Sequence, residues 1–246
     1  SIGVFDATFE IQAGEIFVIM GLSGSGKSTL VRLLNRLIEP TAGRIVIDGA
    51  DINEHSDARL RALRRKDISM VFQSFALMPH MTVRENTAFG LELSGTGKKE
   101  RLAQADLALA QVGLAGWGDS YPDELSGGMK MRVSIARAMV TKPRLILMDE
   151  PFAALDEITR FKLNNDLLAM RAKLNCTVIF VTHSVFESVF LSDRIVVMAA
   201  RPGRVIAELN VDEPYPRTED FRTSADYAAQ CRATSDALGL AMEGAH

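Results

Sequence analysis

Cysteine is scarce in this sequence, and so are several other features that would define a class of protein. With 2 cysteines in 246 residues, a disulfide framework like that of small secreted domains is not expected, which favours a reducing cytosol. No apolar run approaches the roughly 20 residues of a membrane span, so a membrane role would require a partner. The formal net charge of −3 argues against a general nucleic-acid-binding protein, which usually carries a positive excess.

The first residues and the composition indicate what class of protein this is and how many domains it can form. Residues 1–6 contain no basic segment followed by an apolar core, so no secretory signal is predicted, and the missing initiator Met suggests a trimmed fragment. A hydrophobic fraction of 47% and a charged fraction of 24% are ordinary for a globular protein. The length allows either one large α/β domain or one domain with an inserted subdomain.

A glycine-rich stretch fits the phosphate-binding pattern G-x-x-x-x-G-K-[ST], known as Walker A. The apolar run 16–20 before it predicts a buried parallel strand, and the apolar spacing over 29–37 predicts a helix after it. Gly24 and Gly26 would let successive N–H groups point at a polyphosphate. Lys27 would reach the outer phosphates, and the Ser28 hydroxyl would hold Mg²⁺. The predicted loop is Gly21, Leu22, Ser23, Gly24, Ser25, Gly26, Lys27, Ser28 and Thr29.

Apolar patterning predicts an α/β core that is interrupted by a mostly helical region. Strands are expected over 5–12, 44–49, 68–72, 145–148 and 177–183, with a hairpin of 194–198 and 204–209. Helices are expected to end near 66, to begin near 82, and to cover 98–112, 129–140, 157–173 and 184–191. Residues 212–246 read as a weakly amphipathic helix or as partly disordered.

A second motif follows the predicted strand 145–148, which ends in Asp149 and Glu150. This is the Walker B pattern. In P-loop folds its carboxylate, here Asp149, lies beside the phosphate loop and holds Mg²⁺, usually through water. Glu150 at the strand tip could orient or deprotonate the attacking water. Without the Walker A motif, a turn with two solvated acids would be the simpler interpretation.

A third motif gives the chain a resemblance to a family. Leu125, Ser126, Gly127 and Gly128 resemble the signature of the ATP-binding-cassette (ABC) ATPases. The signature alone is a weak signal, but here it lies between a Walker A and a Walker B motif. Physically, Ser126, the glycine amides and the N-terminus of the next helix would form a second anion site.

Three single residues complete the resemblance, which covers nearly the whole chain except the tail. By this resemblance Gln73 is the Q-loop residue that contacts Mg²⁺ and the attacking water. Asp156 resembles the D-loop aspartate, and His183 resembles the switch histidine that contacts the γ-phosphate of ATP. The implied catalytic residues are Glu150, His183, Gln73 and Lys27, and the implied magnesium ligands are Ser28, Gln73 and Asp149.

The resemblance also implies a fold and an organisation. The expected fold is α/β, a P-loop NTPase (RecA-like) core with a small antiparallel β subdomain and an inserted helical subdomain. A single ABC ATPase domain is expected over 1–246, with the core in 1–73 and 143–211. The helical subdomain would be 74–142, carrying the signature, and 212–246 would form a C-terminal tail.

In this family two ATPase subunits close face to face on two ATP molecules. Ser126, Gly127, Gly128 and Asp156 would then contact ATP bound by the other subunit, so the partner expected here is a second copy. A bacterial importer would add membrane permease subunits and, indirectly, a periplasmic or lipid-anchored solute-binding protein. The expected location is the cytoplasmic face of the inner membrane, and no nucleic-acid partner is expected.

The solute class is left open between two alternatives. Residues 1–138 resemble glycine betaine/proline (quaternary amine) importers, whereas 144–217 look more like nitrate, sulfonate, taurine and pyrimidine-precursor importers. The region that contacts the permease in this family comes from the first half, which favours quaternary amines.

Two other classes of protein are alternatives: a soluble ABC ATPase of DNA repair or translation, and a P-loop kinase. A soluble ABC ATPase of that kind would be expected to contain a long coiled-coil insertion or two tandem cassettes, and the chain has neither. A P-loop kinase would not require a signature motif.

Overall fold

The computed structural model describes residues 3–174 and 176–243. The strands along the chain are β1 (Ile16–Gly21), β2 (Val46–Ile47), β3 (Ala50–Asp51), β4 (Ile68–Phe72), β5 (Leu145–Asp149), β6 (Thr177–Thr182), β7 (Arg194–Ala199) and β8 (Arg204–Asn210). The helices are α1 (Lys27–Leu34), α2 (Asp57–Lys66), α3 (Val83–Leu93), α4 (Lys98–Gln111), α5 (Gly127–Met139), α6 (Glu157–Leu174), α7 (Val185–Leu191), α8 (Glu219–Arg222) and α9 (Ala225–Glu243).

The described residues divide into two compact units. Unit 1 comprises residues 3–60 and 176–243, and unit 2 comprises residues 61–174. The predicted α/β fold with parallel pairing, a small antiparallel pair and a helical region is confirmed, because β2 and β3 are antiparallel and the longer inner strands are parallel.

Unit 1 is built on a sheet in the order β6-β1-β7-β8. Strand β1 is parallel to both β6 and β7, and β8 returns antiparallel to β7 as the predicted hairpin. Every residue of β1 is buried, which explains its continuous apolar sequence, since a central parallel strand is covered on both faces. Helices α7 and α9 pack on this sheet.

The C-terminal segment of unit 1 is helical, the first of the two alternatives that the sequence allowed. Polar side chains attach it to α7. The Tyr215 hydroxyl donates to the Leu191 carbonyl at 2.7 Å, and the Tyr227 hydroxyl donates to the Phe186 carbonyl at 2.9 Å. The Arg222 guanidinium lies 3.6 Å from the centre of the Phe190 ring. The last residues, 244–246, lie outside the described part of the chain.

Two predicted strands differ from the structure. Residues 5–12 form no strand, although Ala7, Phe9 and Ile11 are more buried than their neighbours, as the alternating pattern predicts. The Phe9 ring stacks on Phe17 at 5.1 Å. The alternation of apolar residues therefore reflects which side chains pack on the core, but the segment has no hydrogen-bonded neighbour strand. Within 44–49 only Val46–Ile47 pairs, because the chain turns back at Asp48 and Gly49 to form β3.

Unit 2 combines the parallel pair β4 and β5 with α3, α4 and α5, which pack on one another. Helix α3 begins with the predicted cap: Thr82 accepts from the Glu85 N–H, and the Glu85 carboxylate accepts from the Thr82 N–H at 2.9 Å. Helix α5 starts at Gly127 instead of near 129, because the Ser126 side chain caps it. The pattern-based bounds of α4, β4 and α6 agree with the structure to within one residue.

Candidate functional site

The glycine-rich loop lies in unit 1 between β1 and α1. Gly24 and Gly26 both have left-handed backbones, with φ of 80° and 84°, a conformation that costs glycine little. Gly26 is the N-cap of α1 and provides no side-chain cap. The N-terminus of α1 therefore has no side-chain acceptor of its own at the cap, which suits a phosphate oxygen.

The side chain of Lys27 is buried and folds back inside the loop. Its ammonium donates to the Gly21 carbonyl at 2.8 Å and to the Leu22 carbonyl at 3.0 Å. The Ser25 N–H donates to the Leu22 carbonyl at 3.1 Å, which closes the loop as a turn. The loop thus holds one positive charge at its centre, and this arrangement fits a polyphosphate.

The other loop residues differ in exposure. Gly21 and Ser25 are buried, Ser23 and Gly24 are exposed, and Leu22, Gly26, Ser28 and Thr29 are half-buried. Exposed backbone at the tip of the loop is what a bound nucleotide would require.

His183 lies beside the start of this loop in the same unit. It directly follows β6, which is parallel to β1 with Met20 opposite Thr182. His183 is therefore level with Gly21, the first loop residue, and it is exposed. In open α/β sheets ligands bind outside the carboxyl ends of the strands, and His183 lies at such an end of β6.

Three further predicted residues, Gln73, Asp149 and Glu150, lie at the carboxyl ends of the strand pair in unit 2. Strands β4 and β5 are parallel, with Phe72 opposite Asp149, so Gln73 and Glu150 leave the same edge of the pair. Glu150 has a left-handed backbone with φ of 48°. Such a conformation costs a non-glycine residue about 1–3 kcal/mol and is concentrated at functional sites.

The oxygen ligands proposed for magnesium have the right chemistry for that ion. Carboxylate, amide and hydroxyl oxygens are the hard ligands that Mg²⁺ prefers. In unit 2 the register of β4 and β5 brings Gln73 next to Asp149. Among the described residues there is no group of three or more His, Cys, Asp or Glu side chains that could hold a metal, and the predicted magnesium set does not require one.

The signature residues and Asp156 also belong to unit 2. Ser126 is the N-cap of α5, and its hydroxyl accepts from the Met129 N–H at 3.3 Å. A methyl group added to Gly128 would lie 2.6 Å from the Thr159 Cγ2 atom, and one added to Gly127 would lie 3.2 Å from Leu155 Cδ2. A side chain at Gly128 would therefore force Thr159 to shift, and one at Gly127 would press on the end of the Leu155 side chain, so both glycines favour the close packing of α5 on residues 155–159.

Asp156 caps α6 at that contact. Its carboxylate accepts from the Thr159 hydroxyl at 2.6 Å and from the Thr159 N–H at 2.9 Å. The hydroxyl bond and then the N–H bond lower the pKa of the Asp156 carboxyl. Asp156 therefore holds the Thr159 side chain, which is the one that lies against Gly128 of the signature.

Sequence reasoning missed one residue that shapes this site. Arg137, in the last turn of α5, donates to the Phe75 carbonyl at 2.8 Å and to the Ala76 carbonyl at 2.6 Å. Phe75 and Ala76 both have left-handed backbones, with φ of 61° and 48°. Arg137 thus holds the bent segment that follows Gln73. Nothing in the local sequence distinguishes it from an ordinary helix-surface arginine.

Comparison with known protein families identifies the family to which the chain belongs. A family model described as ABC transporter matches residues 4–153. The chain belongs to the ABC transporter family. The matched part contains the Walker A loop, Gln73, the signature and the Walker B motif, while Asp156 and His183 lie beyond it.

The curated relatives are ATP-binding proteins of glycine betaine transport systems. The glycine betaine/proline betaine transport system ATP-binding protein ProV of Escherichia coli (strain K12) is 56% identical over 213 residues, which cover 87% of this chain and 53% of ProV. The glycine betaine transport ATP-binding protein OpuAA of Bacillus subtilis (strain 168) is 56% identical over 206 residues, covering 84% of this chain and 49% of OpuAA. The chain spans about half the length of the curated relatives it matches.

A solved structure supports the fold assignment. The ATP-binding cassette MJ0796, in a dimeric post-hydrolysis state with ADP and Pi, has a TM-score of 0.75 and 34% identity to this chain. The likeness covers 85% of this chain and 90% of MJ0796. Within the described residues, no helix combines the length and the apolar character needed to cross a membrane.

Proposed function

We propose that this chain binds and hydrolyses ATP to drive a bacterial ABC importer for glycine betaine, proline betaine or a related quaternary amine. The observation that carries the solute class is the extent of the match to ProV, 213 of 246 residues at 56% identity. A match of that length must run through both halves of the chain. It therefore favours quaternary amines over the nitrate, sulfonate and taurine alternative that the second half suggested.

The phosphates of ATP are assigned to the loop Gly21 to Thr29. Its left-handed glycines and the uncapped start of α1 support this assignment, and Lys27 supplies the positive charge. Ser28, Gln73 and Asp149 are the proposed magnesium ligands. When bound, Mg²⁺ neutralises charge on the phosphate oxygens.

Hydrolysis is assigned to Glu150, Gln73 and His183. Water attacks the γ-phosphorus, the bond to the bridging oxygen of ADP breaks, and Glu150 accepts the proton of the water. Gln73 orients the water, and His183 contacts the γ-phosphate. Phosphoryl transfer depends mainly on positioning and on charge stabilisation, so a small set of fixed side chains is sufficient.

We further propose that two copies close on ATP, with Ser126, Gly127, Gly128 and Asp156 of one copy meeting the nucleotide of the other. The tight contact of α5 with α6 supports a rigid turn, and the N–H groups at the start of α5 that Ser126 does not cap are the proposed donors to the anion. The solved cassette MJ0796 is itself dimeric. A ligand held by both copies makes the dimer stable only while that ligand is bound.

The remaining proposals concern location and partners. The chain would bind permease subunits on the cytoplasmic face of the membrane, and a solute-binding protein would act through that permease.

Reconstitution with the permease tests the function. The chain, co-expressed with its neighbouring permease and placed in proteoliposomes, should drive ATP-dependent uptake of glycine betaine but not of taurine or nitrate. Uptake of taurine or nitrate instead would favour the alternative importer class. ATP hydrolysis without any bound permease or solute uptake would favour the soluble ATPase.

Replacing Ser126 tests the ATP dimer separately. Asn and Asp cap helices about as well as Ser, so Ser126→Asn and Ser126→Asp should leave α5 intact. Only Asp adds a negative charge where the γ-phosphate of the other copy would bind. Ser126→Asp should lower ATP-dependent dimerisation, measured by light scattering, by about tenfold or more, while Ser126→Asn keeps most of it. Equal dimerisation by the two variants would contradict the proposed contact.

A further inference from the structure

A hydrogen-bond network built on a buried threonine–glutamate pair joins the residues on either side of His183. The Thr182 hydroxyl donates to the Glu187 carboxylate at 2.6 Å and accepts from the Ser184 N–H at 3.0 Å. The Ser184 hydroxyl in turn accepts from the Glu187 N–H at 3.3 Å. One hydroxyl therefore connects the residue before His183 to the residue after it and to the first turn of α7.

This network differs from an ordinary helix cap. In a capping box the acid at the third helical position accepts directly from the N-cap N–H. Here the Thr182 hydroxyl is inserted between the Ser184 N–H and the Glu187 carboxylate. Thr182 is 3% exposed and Glu187 is 6% exposed, whereas Glu85, the acid of the capping box of α3, is exposed. A buried carboxylate is costly unless its partners are fixed, so this one restrains the chain more than a surface cap would.

The C-terminal segment adds to the surroundings of Glu187. Arg222 lies over the Phe190 ring, and Tyr227 donates to the Phe186 carbonyl, next to Glu187 in the chain. Burial lowers the pKa of the Arg222 guanidinium, while nearby negative charges, including that of Glu187, raise it in part. The carboxylate thus has a positive charge within electrostatic range.

We propose that Thr182 and Glu187 are positioning residues for His183. Their buried hydrogen bond fixes the backbone on both sides of the histidine and so sets where the imidazole meets the nucleotide. The inference rests on the proposed function, in which His183 contacts the γ-phosphate. Neither residue touches ATP in this scheme, so their loss should affect turnover more than nucleotide binding.

Matched variants at Thr182 separate the hydroxyl from the shape of the side chain. Thr182→Val keeps the shape and removes the hydroxyl, whereas Thr182→Ser keeps the hydroxyl. Thr182→Val should lower kcat for ATP by about tenfold or more and leave KM within about twofold, because misplacing a catalytic group mainly affects the chemical step. Thr182→Ser should keep most of the wild-type kcat. Glu187→Gln, which retains an acceptor without the charge, should give a smaller loss than Thr182→Val.

Histidine NMR provides a readout that does not depend on hydrolysis. The chain has 4 histidines, and the Cε1–H signal of His183 is assigned by its loss in His183→Gln. In the full chain, Thr182→Val should shift or broaden that signal and leave those of His55 and His80 unchanged, and Thr182→Ser should not. If Thr182→Val does not fold, Glu187→Gln carries the same NMR test.

The outcomes distinguish this inference from the function on which it rests. An unchanged His183 signal together with unchanged kcat in Thr182→Val overturns the positioning role, even if the protein hydrolyses ATP normally. Equal losses of kcat in the Val and Ser variants also overturn it. If the wild-type chain with its permease hydrolyses no ATP, the proposed function fails, while the NMR comparison still tests the network. If His183→Gln hydrolyses ATP at the full rate, the role assigned to His183 fails and the positioning role fails with it, although ATP hydrolysis by the chain stands.

Discussion

Glu150→Gln should lower steady-state ATP hydrolysis by about a hundredfold or more, the range in which a general base contributes. The amide has the same size as the carboxylate and tolerates the same left-handed backbone, with φ of 48°. It cannot accept a proton from the attacking water. ATP should therefore bind and remain uncleaved, and the dimer should accumulate in the presence of Mg-ATP. Phosphate release and light scattering measure the two effects.

A second acid in the same unit provides the control. Glu157 lies in the first turn of α6 and is exposed, so Glu157→Gln removes an equal charge away from the strand tip. Its turnover should stay close to that of the wild type. A Glu150→Gln protein that hydrolyses ATP at the rate of the Glu157→Gln control, or that stays monomeric at saturating Mg-ATP, would refute the assigned role.

Arg217→Met should lower the free energy of unfolding by about 3 kcal/mol or more, because several buried carbonyl groups would lose their donor at once. Arg217 is 6% exposed, and its guanidinium also lies 4.3 Å from the centre of the Tyr215 ring. It joins the end of α7 to the segment that follows β8. The carbonyls that accept from it, at 2.7 to 3.3 Å, belong to Val189, Phe190, Ser192, Val211 and Glu213.

Thermal unfolding and hydrogen exchange measure this loss. For a chain of this length, about 3 kcal/mol corresponds to a decrease in Tm of roughly 6–12 °C, and amides of α7 should exchange faster. Arg232→Met, in α9, is the matched control: Arg232 is exposed, so its replacement should change stability by less than about 0.5 kcal/mol. Equal Tm values for the two variants would show that the buried guanidinium does not stabilise unit 1.

The parts of the fold that sequence predicted well are those specified by local rules. Helix α3 begins at a capping box whose residues are three positions apart, and β1 is a continuous apolar run because both its faces are covered. The prediction of a strand over 5–12 was wrong, because it depended on more than local rules. Alternation predicts which side chains face the core, but a strand also needs a neighbouring chain, and the register of that neighbour is not encoded locally.

In the candidate site too, residues in local motifs were predicted and a residue that acts through a distant contact was not. Gln73, Ser126, Asp149 and His183 were predicted because each lies in or near a motif with a fixed order along the chain. Arg137 was missed, since its contact with Phe75 and Ala76 joins positions about sixty residues apart. No spacing rule relates an arginine inside a helix to the carbonyls of a distant bend.

The sequence alone determined where the Walker A, Walker B and signature motifs lie and that the chain belongs to the ABC transporter family, because each motif depends on neighbouring residues in a fixed order. Only the tertiary structure decided that Arg217 joins the C-terminal segment to α7, and that the hydroxyl of Thr182, which precedes His183, binds Glu187. Those contacts exist because buried polar groups must find partners. Which partner each one finds depends on how the folded chain brings distant residues together.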